Sequence, residues 1–96
     1  MSDGGRTNED IAMRLVALSK ALGHNQSSFA ALVGVTQPAM NYYMRALRRP
    51  DLDVGIQIQM RTGVTLDWLY LGDRSGLPAR LLGLLPDLSE STKKAG

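Results

Sequence analysis

For covalent or acid–base chemistry this chain offers little: one histidine, no cysteine, and nine carboxylates scattered over 96 residues. His24 has no second imidazole and no thiol with which to hold a metal or activate a nucleophile. The acids do not gather at ligand spacing, and no glycine-rich loop is present to cradle a phosphate. We therefore expect neither an enzyme nor a bound cofactor or metal, and no small-molecule ligand is evident. The residues that can make directed contacts are of another kind. Gln26, Gln37, Asn41, Tyr42, Arg45, Arg48 and Arg49 supply amides, a phenol and guanidinium groups, which form paired hydrogen bonds rather than transfer protons.

Most of these lie in GVTQPAMNYYMRALRRP, residues 34–50, which contains no acid. With about 100° of turn per residue, Gln37, Pro38, Asn41, Tyr42, Arg45 and Arg48 fall within roughly 140° on one side of a helix. Ala39, Met40, Tyr43 and Leu47 fall on the other, with Met44 at the border. The helix thus has a face for burial and a face of amide, phenol and guanidinium groups. Such groups can bond base edges in a major groove, and arginines serve equally well on phosphates. Tyr43 is expected in the core and Tyr42 on the surface.

The charges are sorted along the chain. Between Ile11 and Pro50 the charged residues are Arg14, Lys20, Arg45, Arg48 and Arg49, with no Asp or Glu. The acids lie before and after: Asp3, Glu9, Asp10, then Asp51, Asp53, Asp67, Asp73, Asp87 and Glu90. This asymmetry suits an anionic partner, although a basic segment is often only a solvated face.

The elements that must position these groups are helices. Residues 1–8 read as a flexible tail. Asn8 caps a first helix with Glu9 and Asp10 in its first turn, and Ile11, Leu15, Leu18 and Leu22 recur at helical spacing with Arg14 and Lys20 off the stripe. Gly23 ends it. Asn25 caps a second helix carrying Phe29, Ala30, Leu32 and Val33, stopped by Gly34 after about two turns. Thr36 caps a third, with Pro38 in its first turn, where a missing amide hydrogen is harmless. A fourth starts at Asp51 or Asp53 and runs through Ile56 and Met60 to Gly63, with Gly55 marking close packing or an irregularity. Thr65 caps a fifth carrying Trp68, Leu69 and Leu71, ended by Gly72. Pro78 opens a short helix with Leu81, Leu82, Leu84 and Leu85, ended by Pro86. No segment alternates like a strand, and the fold class expected is all-α. No apolar run spans a bilayer, so a cytoplasmic protein is expected.

Residues Gln26 to Arg45 resemble the helix-turn-helix of the lambda-repressor-like family, also called Cro or XRE. The likeness rests on Gln26, Phe29, Ala30, Val33, Gly34, Val35, Met40 and Tyr43. It continues through Arg49-Pro50-Asp51-Leu52 into GVTLDWLYLGD, residues 63–73, covering about two-thirds of the chain. The resemblance implies a compact five-helix domain over 9–73, with 74–86 as a further short helix and 87–96 as a flexible tail. It implies a nucleoid-associated transcriptional regulator, of repressor type, bound to a double-stranded DNA operator. Helix 36–47 would enter the major groove. The implied DNA contacts are Gln26, Ser27, Thr36, Gln37, Pro38, Asn41, Tyr42, Arg45, Arg48 and Arg49. A homodimer is expected, with Leu81, Leu82, Leu84 and Leu85 as either its surface or a lid on the core. The chain departs from the family at three places. His24 stands for an apolar residue. Met44 and Ala46 replace a common Glu and Gly, which would let the recognition helix end later than usual. Gly55 replaces an aliphatic residue, which would loosen the fourth helix. The alternative function is a protein-interaction module, such as an antitoxin or accessory subunit.

Overall fold

The structure, a computed structural model, describes residues 6–85. Within them the chain forms six helices and no strand, so the all-α class holds: α1 (Asn8–Ala21), α2 (Gln26–Val33), α3 (Gln37–Met44), α4 (Leu52–Thr62), α5 (Leu66–Leu71) and α6 (Ala79–Leu82). Among the described residues no helix is long and apolar enough to cross a membrane.

Five helix starts carry a side-chain oxygen cap. Thr7, Asn25, Thr36, Asp51 and Thr65 each accept a hydrogen bond from the backbone amide three residues on. At α1 the cap is therefore Thr7 rather than Asn8, which forms the first residue of the helix. The segment read as a tail over 1–8 accordingly joins the fold by Arg6; residues 1–5 lie outside those described.

Ile11, Leu15, Leu18, Phe29, Val33, Met40, Ile58 and Leu69 are almost wholly removed from water and form one core with Trp68, Leu77, Leu81 and Leu85. Ala30, also buried, lets α2 and α3 approach closely. α1 packs on α3 and α5, and α2 on α3 and α4. The stretch 74–85 therefore closes the same core. α6 ends at Leu82, so Leu84 and Leu85 follow the helix rather than belong to it, and Pro86 lies outside the described residues.

Part of the apolar surface of α4 and α5 faces out. On α4 Leu52, Ile56 and Met60 are exposed, and the buried side is Gly55, Ile58 and Thr62. Leu71 on α5 is exposed as well. A Cβ at Gly55 would lie 2.5 Å from the Tyr70 hydroxyl. The bare backbone admits the phenol, which donates to the carbonyls of Pro50 (2.8 Å) and Asp51 (3.0 Å). The glycine tightens the contact between α4 and α5 rather than loosening it. Burial first, then the Asp51 carboxylate, pushes the Tyr70 phenol above its ordinary pKa, so the donating form persists.

Arginines close the helix ends. Arg14, expected off the apolar stripe of α1, is 6% exposed, and its Nη1 donates to the carbonyl of Leu69 at 2.9 Å in the last turn of α5. Arg80 Nη2 reaches the carbonyl of Thr62, the last residue of α4, at 3.4 Å. Arg74 Nη2 lies 3.5 Å from the carbonyl of Leu82, the last residue of α6, and its Nη1 donates to Leu85 O beyond the helix at 2.8 Å. A cation at a helix C-terminus satisfies carbonyls that have no intrahelical partner and meets the negative end of the dipole.

The third helix ends at Met44, short of the expected residue 47. Ala46 turns to φ +65°, the Leu47 amide donates to Tyr42 O (2.9 Å), and the Ala46 amide to Tyr43 O (3.2 Å). This is a Schellman stop, which favours glycine at the left-handed position. The alanine does not extend the helix; it is held in a strained conformation. Leu47, expected in the core, is 60% exposed as a result. Ala46→Gly should raise stability by about 0.5–1 kcal/mol, the relief of left-handed strain less the added freedom of the unfolded chain. A urea midpoint that falls in the variant would disprove this.

Candidate nucleic-acid interface

The residues singled out in the sequence come together around α2 and α3. Both helices have eight residues, and neither has an acid in its first turn. The first turns of α1, α4 and α5 all do: Glu9 and Asp10, Asp53, and Asp67. The positive dipole ends of α2 and α3 are thus left without an acidic side chain to meet them. Their spacing comes from Gly34, whose φ of +91° turns the chain between them, and from Asn25 and Thr36, whose side chains accept from Ser28 N (2.8 Å) and Ala39 N (3.2 Å).

One side-chain bond joins the two helices on this surface: Asn41 Nδ2 donates to Gln26 Oε1 at 3.2 Å. Both residues are half-buried. The bond fixes the orientation of both amides, so the Gln26 amide nitrogen and the Asn41 amide oxygen remain as a donor and an acceptor held beside each other. Ser27, Thr36, Gln37, Pro38, Tyr42 and Arg45 are exposed around them, while Tyr43 is 7% exposed and in the core. The adjacent tyrosines divide as expected.

Arg48 is not on the helix, since α3 stops before it. The turn at Ala46 brings it back instead, with its guanidinium carbon 5.7 Å from the centre of the Tyr42 ring. A cation at that distance from a phenol is attracted to its face. Arg49 goes elsewhere. Its Nε donates to Asn8 Oδ1 (3.0 Å) and its Nη2 to the carbonyl of Arg6 (2.7 Å). These bonds join the start of α1 to the loop after α3, while the side chain stays exposed.

The expected leucine surface also divides. Leu81 and Leu85 are buried at 0% and 2% exposure and belong to the lid, while Leu82 and Leu84 are open at 39% and 52%. His24 is held by Ser28, with Nδ1 and Oγ 2.9 Å apart, and tilts against Phe29. Among the described residues no group of histidine and acidic side chains is placed to hold a metal ion. Sequence reasoning missed the coupling of Gln26 to Asn41 and the stacking of Arg48 on Tyr42. Neither leaves a trace in the order of residues, because each joins groups through a turn.

Comparison of the chain with family models, curated proteins and solved structures gave no match.

Proposed function

We propose that this protein binds double-stranded DNA by sequence and regulates transcription, in the manner of the lambda-repressor-like regulators its residues resemble. α3 enters the major groove. Asn41, held by Gln26, presents its amide to base edges, and Gln37 and Tyr42 lie beside it. Arg45 and Arg48 take phosphates, as do the backbone amides at the start of α2 and α3. Such a protein works in the cytoplasm, on the nucleoid. The observation that carries this reading is the pair of acid-free helix starts joined by the Gln26–Asn41 bond.

Selection of bound duplexes from a random DNA pool tests it. The expected result is enrichment of one sequence. Asn41→Ala should reduce discrimination between that sequence and random DNA by about tenfold, while weakening random binding by less than about threefold. A pool that stays random, or equal losses on both kinds of DNA, would overturn base reading.

The exposed Leu52, Ile56 and Met60 stripe favours a second reading, a protein-interaction module. In that case the chain captures a protein partner through α4 and fails to shift any duplex.

A further inference from the structure

The outer side of α1 carries a surface that the DNA-binding reading does not use. Glu9, Met13, Val16 and Lys20 follow one another at steps of four, three and four residues. On an α-helix they fall within a stripe about 60° wide. That spacing is the seam by which one helix packs along another. Glu9 and Lys20 are exposed, Met13 is 42% exposed, and Val16 and Ala17 are half-buried. Met13, Val16 and Lys20 of the stripe line an open, mainly apolar groove of about 590 Å³, together with Met44 of α3 and Leu84 beyond α6, and Glu9 lies one turn before it.

The seam is apolar in the middle and oppositely charged at its ends. Under a two-fold rotation this pattern is its own complement. Position 9 of one helix faces 20 of the other, and 13 faces 16, with both pairs centred on the same point of the helix. We propose that a second copy of this chain docks here, α1 against α1 and antiparallel, with each Glu9 facing Lys20 and each Met13 facing Val16. A parallel pair would set glutamate against glutamate and lysine against lysine. An uncharged apolar helix would leave both end charges without a match. The other open stripe, on α4, lacks this symmetry: Asp53 borders it, but Arg61 lies about 140° around the helix from its middle. The seam spans only about three turns, so the dimer is a weak one.

The test uses the full chain without DNA, so its result is independent of the DNA-binding reading. Sedimentation equilibrium should show a monomer–dimer equilibrium. Glu9→Lys and Lys20→Glu should each weaken association by about tenfold, because each sets like charges face to face at both ends of the seam. A one-to-one mixture of the two variants should dimerise as the parent does, because every facing pair is again opposite. Met13→Asp should leave monomer alone, with helix content by circular dichroism unchanged. The proposal is overturned if the parent stays monomeric at millimolar concentration, if Met13→Asp still dimerises, if neither charge reversal weakens the dimer, or if the mixture associates no better than its components.

Discussion

Replacing Arg14 by methionine should cost about 2–3 kcal/mol of stability and lower the melting temperature by roughly 10–20 °C. Methionine keeps much of the apolar stem that packs inside the fold, so the change isolates the guanidinium. That group lies almost wholly out of water and donates to Leu69 O near the end of α5. Burial lowers its pKa, with the Asp10 carboxylate acting in the opposite direction. Two effects compete in the variant. Removing a charge that is expensive to desolvate is favourable. Losing a charge-assisted hydrogen bond and leaving a helix-end carbonyl without its donor is unfavourable, and the second is larger because the carbonyl cannot move to water without fraying α5. The space is specific to this pairing. A Cβ at Gly72, which ends α5 at φ +81°, would lie 2.6 Å from Arg14 Nη2. A domain of this size has only about 4–12 kcal/mol in total, so the loss is a large share of it. Thermal unfolding followed by circular dichroism measures the effect; a change below about 3 °C would show that Arg14 is not a structural cap.

Binding to duplex DNA should weaken about 15- to 60-fold between 50 and 200 mM salt, a log–log slope near −2 to −3. Arg45 and Arg48 account for most of it. Each is exposed and lies in the acid-free stretch of the chain, and Arg48 is held against the ring of Tyr42. Arg45→Ala and Arg48→Ala should each reduce the slope by about one unit. Arg49→Ala should leave the slope nearly unchanged and lower stability instead, because its guanidinium is committed to Asn8 and to the backbone of Arg6. Fluorescence anisotropy over a salt series separates these outcomes. A flat salt dependence would remove phosphate contact from the proposal. A slope that falls with Arg49 and not with Arg48 would reverse the roles given to the two neighbours.

Much of the fold was legible in the order of residues because it rests on local chemistry. Asn25, Thr36, Asp51 and Thr65 cap from within their own turn, and Gly23, Gly34, Gly63 and Gly72 take positive φ where only glycine is at ease. The division of Tyr42 from Tyr43 followed from helical period alone. Where the reading failed, the cause was non-local. The inward side of α4 was not legible: Leu52, Ile56 and Met60 make a regular stripe that faces out, while Gly55 on the buried side lets Tyr70 come close. The end of α3 depended on a left-handed alanine, a conformation that L side chains rarely adopt, closed by the Leu47 amide on Tyr42 O.

The arginines show the same boundary most plainly. By itself the sequence determined the helical class, the caps of α2, α3 and α5, the glycine stops, and an acid-free stretch from Ile11 to Pro50. It could not sort its cations. Only the tertiary structure decided that Arg14 and Arg80 close helix ends, that Arg49 ties the start of α1, and that Arg45 and Arg48 remain on the surface. A guanidinium on a long flexible stem takes whichever carbonyl, ring or solvent the packing brings within reach. That choice is made by residues as many as 55 positions away, as Leu69 is from Arg14.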